Sequence, residues 1–418
     1  MNRHTLFMAA LLTSVCGALP IAACASSDES NSSPQEDNNE ITIVGSDANT
    51  GPNAADDVDA GPCTGCEWFP AECTPKIPCN GGPFDPSTAG GPIDGRVRIN
   101  VIRGRSASDV WAVGARGTVA HFDGSSWTRL DIGDEWTNQA IWLRDDTELL
   151  LTSLQRFHTH AADAGLSSWF SIDLTNASDS PVPSSLLQQP YQLTSAWAAR
   201  GATWLWCTSF DNWDLFGGGG STAQMMPDLW RLRYTTAKFQ GLEVAEALPS
   251  GSCGEIPCSR MNAVHGFDKN ELWAVGSKGV TIHVTDADSD TPHAVAFNSL
   301  TQNELRGVWS ASATDAWSVG AQGTIRHYVG DPLHWDVVAD VPVSSNLNAV
   351  WGTSPSDVWA VGDDAVVLHY DGSRWSRVPV AGLGARRPKL TTVWTPSPGH
   401  VWIGGEGVVL SIGEKDPK

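Results

Sequence analysis

The residues best suited to chemistry in this 418-residue chain are its cysteines, a recurring histidine and two short polar segments. Cys63, Cys66, Cys73 and Cys79 cluster, while Cys207, Cys253 and Cys258 lie far downstream. A Cys-x-x-Cys step such as Cys63–Cys66 can hold zinc or act as a redox dithiol. No histidine lies nearby and Cys73 and Cys79 are unevenly placed, so these seven are read as disulfide candidates. His121, His283, His327 and His369 each stand four residues after a turn glycine or its equivalent. The segment DADSD at 286–290 begins like a calcium loop but lacks the glycine and distal glutamate such loops need. FDNWDLF at 210–216 runs into four glycines. Its Phe210, Asp211, Trp213, Asp214 and Phe216 suit stacking on a sugar ring or anchoring a protein partner. The competing reading is that Trp213 and Phe216 pack on the body of the fold.

The elements that position these residues follow from an internal repeat. SASDVWAVG at 106–114, SATDAWSVG at 312–320 and SPSDVWAVG at 354–362 are copies of one unit. Anchoring six residues before the acidic position gives copies at Arg103, Trp142, Trp197, His265, Trp309, Trp351 and Trp394. The spacing is about 43 residues, the length of a four-stranded propeller blade. The acidic slot holds Asp109, Glu148, Thr203, Glu271, Asp315, Asp357 and His400; the second aromatic slot holds Trp111, Leu150, Leu205, Trp273, Trp317, Trp359 and Trp402. In the sixth copy the strands are expected at 348–352, 358–362, 366–370 and 374–378, separated by Ser-Pro-Ser-Asp, Gly-Asp-Asp and Asp-Gly-Ser turns. The fold expected is an all-β, seven-bladed propeller over residues 96–418. Its tryptophans are read as core packed between blades. The recurring histidine then falls on the third strand, away from the axis, where copies cannot converge on one ion. A structural hydrogen bond is its expected role.

Ahead of the repeat, Arg3 and His4 precede an apolar run, Leu6 to Leu19, too short to span a bilayer and laid out as a signal peptide. Ile21, Ala22, Ala23 and Cys24 follow. They resemble the bacterial lipobox, which implies cleavage after residue 23 and lipidation of Cys24. Ala25 is not the aspartate that marks inner-membrane retention, so the resemblance points to the outer membrane or cell surface. Residues 25–62 hold nine acidic residues and no lysine or arginine, and read as a disordered tether. Residues 63–95 form a Cys-rich segment. An exported chain meets oxidising conditions, and seven body cysteines leave one thiol unpaired. Cys253–Cys258 is the first choice of bridge and Cys207 to either is the second.

The repeats resemble the propellers of bacterial neuraminidases and photosystem assembly factors. They resemble especially the Asp-Val-Trp-Ala-Val-Gly repeats of predicted lipoproteins from myxobacteria-like bacteria. The resemblance covers about residues 96–413 and is specific for fold. Phe122 to Trp127 looks like a shortened Asp box, which in that family is a structural turn. The Phe-Arg-Ile-Pro-type motif and arginine cluster of sialidases are absent, as are Gly-x-Ser-x-Gly, Walker and His-Glu-x-x-His motifs. The net charge of −21 offers no basic stripe for nucleic acid. The expectation is therefore a monomeric binding or scaffold protein without a cofactor, its partner an envelope protein or glycan and its membrane contact a lipid anchor. The alternative is a divergent carbohydrate-active enzyme. Stretched copies two and three put inserts at 175–192, 208–228 and 241–260 on one face, where binding is expected. The seventh copy lacks a fourth strand. Outer strands elsewhere begin near Trp127, Trp169, Trp335 and Trp375, so the segment Glu67–Phe69, containing Trp68, is expected to close the ring, with Ile41–Val44 as its rival.

Overall fold

The computed structural model describes residues 66–161, 165, 166, 168–175, 183, 186, 191–211, 228–234, 241–248 and 260–413. All of them belong to one compact unit beginning at residue 62. Seven antiparallel four-stranded sheets make the expected propeller. Blade 7 takes its outermost strand, β1 (Cys79–Gly81), from the start of the unit. Blade 1 is β2 (Ile99–Ser106), β3 (Asp109–Gly114), β4 (Val119–Phe122) and β5 (Trp127–Leu130). Blade 2 is β6 (Ala140–Leu143), β7 (Thr147–Leu151), β8 (Arg156–Ala161) and β9 (Phe170–Asp173). Blade 3 is β10 (Tyr191–Trp197), β11 (Leu205–Asp211), β12 (Leu229–Tyr234) and β13 (Leu242–Glu246). Blade 4 is β14 (Met261–Gly266), β15 (Leu272–Gly276), β16 (Val280–Thr285) and β17 (His293–Asn298). Blade 5 is β18 (Leu305–Ser312), β19 (Asp315–Gly320), β20 (Ile325–Tyr328) and β21 (Asp336–Val337). Blade 6 is β22 (Leu347–Ser354), β23 (Asp357–Gly362), β24 (Val367–Tyr370) and β25 (Trp375–Arg377). Blade 7 is completed by β26 (Leu390–Ser397), β27 (His400–Gly405) and β28 (Val408–Ile412).

The second strand of each blade is buried on both faces, which is why it reads as a continuous apolar run such as DVWAVG. Its tryptophan packs edge-on against the outer-strand tryptophan of the next blade. Trp111 meets Trp169 at 5.9 Å, Trp273 meets Trp335 at 4.8 Å and Trp317 meets Trp375 at 5.4 Å. Trp402 meets Trp127 at 5.4 Å across the closure. Each edge-to-face pair adds about 0.5–1.5 kcal/mol beyond burial. The turn after the third strand depends on its aspartate. Asp371 Oδ1 accepts the N–H groups of Ser373 (2.9 Å) and Arg374 (3.0 Å), while Gly372 sits at φ +91. A side chain at Gly372 would lie 2.8 Å from the Ser356 Cβ as well as being strained.

The closing strand differs from expectation. Residues 66–68 form a 3₁₀ turn, and Trp68 lies under the Arg377 guanidinium of blade 6 at 5.0 Å. Phe69 packs on the apolar cluster between blades 6 and 7. The pairing strand is Cys79–Gly81, with Cys79 opposite Ser411 and Gly81 opposite Val409. It carries no tryptophan, so the outer-strand Trp rule could not find it. The insert boundaries also shift: Leu242–Glu246 is the outer strand of blade 3 and not part of a loop after it. Residues 1–23, the tether at 24–62 and the rival strand at 41–44 lie outside the described residues.

Candidate functional site

The recurring histidine is a hydrogen-bonded staple within blades 1 and 6 and a looser contact in blades 4 and 5. His121 Nε2 lies 2.9 Å from Asp109 Oδ1, and Trp111 Nε1 donates to the same oxygen at 3.0 Å. His369, Asp357 and Trp359 repeat this at 2.8 and 3.0 Å. Each imidazole also lies against its tryptophan, with ring centroids 4.4 Å apart for Trp111–His121 and 4.2 Å for Trp359–His369. Burial pushes Asp109 up, but the bonds from His121 and Arg105 outweigh it and leave its pKa lowered. Burial lowers the pKa of His283. Blade 2, whose sequence is degenerate, keeps the staple: His160 Nδ1 is 2.7 Å from the buried Glu148. His160 follows Glu148 by the same 12 residues that separate His121 from Asp109. That constant spacing was the available signal. Among the described residues no group of three or more His, Cys, Asp or Glu could hold a metal ion. The acidic turn at 286–290 works as a clamp between blades: Asp288 Oδ1 accepts the N–H groups of Thr203 (2.7 Å) and Trp204 (3.1 Å).

The innermost strands line an axial channel. Three residues before each anchor stands a polar side chain, and these form a girdle around one end. Asn100 donates to the Asn138 carbonyl at 2.8 Å, Thr194 to Met261 at 2.9 Å, Asn262 to Leu305 at 2.8 Å and Asn348 to Leu390 at 2.8 Å. Arg306 reaches Asn348 Oδ1 at 3.1 Å, and Thr391 links blade 7 to blade 1 by donating to the Ile99 carbonyl. Each bond ties one blade to the next, so the girdle satisfies first-strand carbonyls that have no ladder partner on the axis.

The other end is aromatic. The anchor positions put Arg103, Trp142, Trp197, Trp351 and Trp394 around a cavity of about 440 Å³, with Leu205, Arg105, Asp145 and Arg200 on its rim. His265 and Arg103 line the narrower throat beneath it. The Arg103 guanidinium lies over the Trp351 ring, its Cζ 4.1 Å from the ring centroid. His265 meets the same indole edge-on at 4.6 Å and Trp197 at 5.0 Å. His265 Nδ1 accepts the Ser310 N–H at 3.2 Å, so the neutral ring carries its proton on Nε2. Burial, then the Arg103 charge, hold His265 well below the usual histidine range. Burial also lowers Arg103 to about 9. The rim cations are neutralised: Arg105 contacts Glu148 at 2.6 Å and Asp109 at 3.1 Å, and Arg200 contacts Asp145 at 3.0 Å.

This mouth lies at the end of the first strands, at the opposite end of the channel from the polar girdle. The second-strand tryptophans are interblade core, as expected; the anchor residues Trp142, Trp309 and Trp394 are also buried in the core clusters, while Trp142, Trp197, Trp351 and Trp394 in addition face the cavity, a role the core reading did not include. Phe210 and Asp211 belong to β11, where Phe210 pairs with Gln192, and so are not loop residues. Trp213, Asp214, Phe216, Cys24, Cys63, Cys253 and Cys258 lie outside the described residues. Cys66 is in the 3₁₀ turn. Cys73, Cys79 and Cys207 are free thiols, not bridged. Cys207 is wholly buried in the core between blades 2 and 3, and burial pushes its thiol up. Burial, then contact with the Cys73 thiol, push Cys79 up to about 12.

The fold and channel define a seven-bladed β-propeller with an aromatic axial mouth. No family model matches the sequence, and no curated protein matches it. Solved structures do match in fold. YCF48 bound to D1 peptide is 14% identical at a TM-score of 0.54, covering 82% of this chain and 98% of that one. A catalytically inactive virginiamycin B lyase from Staphylococcus aureus with quinupristin is 10% identical at 0.53, covering 76% and 95%. The Pan2 WD40 domain of Neurospora crassa is 10% identical at 0.54, covering 84% and 99%. At these identities the likeness speaks for the fold alone.

Proposed function

We propose that the protein is a binding scaffold of the cell envelope that takes its ligand in the axial mouth. The observation carrying this reading is the mouth itself, an open cavity of about 440 Å³ walled by four tryptophans. Clefts of this size that combine aromatic walls with placed polar groups, here Arg103, Arg105, Asp145 and Arg200, are a usual form of small-ligand site. Two propellers of similar fold hold ligands, a D1 peptide in YCF48 and quinupristin in the lyase. Binding is favoured over catalysis because the described carboxylates near the mouth are committed: Asp145 to Arg200, and Asp109 and Glu148 to Arg105. Titration with indole tests the site. Trp351→Ala should weaken binding at least tenfold; because Trp351 also packs on the core clusters, the variant is compared with the parent below its own melting transition. Unchanged indole affinity in that variant would move the site elsewhere.

The envelope assignment rests on the signal-like run from Leu6 to Leu19 and the lipobox-like stretch ending at Cys24. Among the described residues no helix is long and apolar enough to cross a membrane. The proposed anchor is lipid on Cys24, on the strength of its lipobox-like context. Cys24→Ser should shift the protein from the detergent phase to the aqueous phase on phase partitioning. A chain that partitions identically in both forms would exclude lipid anchoring.

A further inference from the structure

Arg103 stands apart from the other cations of the mouth. Its Nη1 donates to the Ile102 carbonyl at 2.7 Å and approaches the Val393 carbonyl at 3.5 Å. Among the described residues neither Nε nor Nη2 has a hydrogen-bond partner, and no carboxylate pairs with the group. That leaves a guanidinium edge with two parallel N–H directions, the fork that carboxylates engage bidentately. The guanidinium lies over the Trp351 ring, so this edge is held in place before any ligand arrives. His265 adds a second donor at the throat through its Nε2–H. In a chain of net charge −21, a deep cation without a counter-charge is an arrangement that a ligand would complete.

We propose that the mouth recognises a monocarboxylate carrying a planar or apolar group: Arg103 takes the carboxylate and the tryptophan walls take the ring. This rests on the reading of the mouth as the ligand site. A single charge fits one unneutralised cation; a phosphate dianion would need a second, and Arg105 and Arg200 are already paired. The walls exclude small, strongly hydrated anions, which gain nothing from Trp142, Trp197, Trp351 and Trp394. The same chemistry can come from a free aromatic acid or from the C-terminal residue of a peptide.

Isothermal titration of the full chain with 1-naphthoate and with 1-naphthamide, which differ in charge but little in shape, separates the contributions. Naphthoate should bind at least tenfold tighter than naphthamide. Arg103→Gln should bring that ratio close to one, while Arg103→Lys should retain part of it. Equal binding of acid and amide to the parent protein overturns the carboxylate assignment and leaves the mouth as an aromatic site. Absence of binding by both probes at millimolar concentration overturns the reading of the mouth as well. If Arg103→Gln does not fold, the parent acid-to-amide ratio decides alone; if it folds and keeps the ratio, the assignment to Arg103 is wrong. A short peptide ending in tryptophan, as free acid and as C-terminal amide, identifies the source. Acid-selective binding tighter than that of naphthoate supports a chain terminus as the carboxylate, and weaker binding supports a free acid.

Discussion

Replacing Asp357 by alanine should cost far more than the same change at Asp315, although both occupy the same slot of the repeat. Asp357 Oδ1 accepts from Trp359 Nε1 at 3.0 Å and contacts His369 Nε2 at 2.8 Å, while Oδ2 accepts from the Thr353 hydroxyl. Removing the carboxylate leaves an indole N–H and an imidazole unpaired beside the interblade core. Hydrogen bonds to a charged group contribute about 1.5–3 kcal/mol each and are not additive, so the loss should be about 2–4 kcal/mol. Blade 5 is looser. His327 Nε2 is 3.4 Å from Asp315 Oδ2 without hydrogen-bond geometry, and Asp315 Oδ1 and Trp317 Nε1 have no partner. Its staple is held instead by close stacking of His327 on Trp317, with centroids 3.7 Å apart. Asp315→Ala should therefore cost less than about 1 kcal/mol. At about 2 °C per kcal/mol for a domain of this size, thermal melts should fall by about 4–8 °C for Asp357→Ala and by less than about 2 °C for Asp315→Ala. Equal losses, or a larger one at Asp315, would refute the view that hydrogen-bond geometry gives the staple its strength.

Other consequences can be measured with the same melts and simple chemistry. Gly81→Pro removes a ladder donor opposite Val409 from the closing strand and should cost about 1–3 kcal/mol, whereas Glu67→Pro, in the 3₁₀ turn, should cost less; the reverse order would restore the expected closure at 67–69. His265 and His283 have folded pKa values below the unfolded value, so the unfolded chain binds more protons as pH falls. Stability is then present in full above about pH 6.5 and is lost below it, by up to about 1.4 kcal/mol per pH unit for each histidine. His265→Asn should flatten urea-midpoint curves between pH 7 and 5; an unchanged slope would show that this ring does not titrate on unfolding. Cys73 and Cys79 have touching thiols, and their oxidation should close a short loop worth about 2 kcal/mol. Mass mapping of the non-reduced protein after alkylation would detect that bridge, and both thiols alkylated under oxidising conditions would exclude it.

The blade architecture was legible because its signals are local. Turn aspartates, second-strand apolar runs and outer-strand tryptophans recur at fixed offsets, and each has one physical job repeated around the ring. The closing strand was not legible, because Cys79–Gly81 is three residues long and is specified by the unpaired edge of β28, not by its own composition. The mouth was hidden for a related reason. Tryptophans at the anchor and second-strand positions look alike in sequence, and sequence does not show which of them also face the channel. Arg103 and His265 occupy slots that hold tryptophan in the other five copies. Departures from a repeat are where a site can be built without disturbing the scaffold, and that signal was present in the register of anchors.

A crystallographic fragment screen on the purified protein tests the account most directly. The account predicts aromatic fragments seated in the mouth against Trp142, Trp197, Trp351 and Trp394, with acidic ones turned toward Arg103. Fragments that avoid the mouth and gather at the opposite end, around the polar girdle, would contradict it.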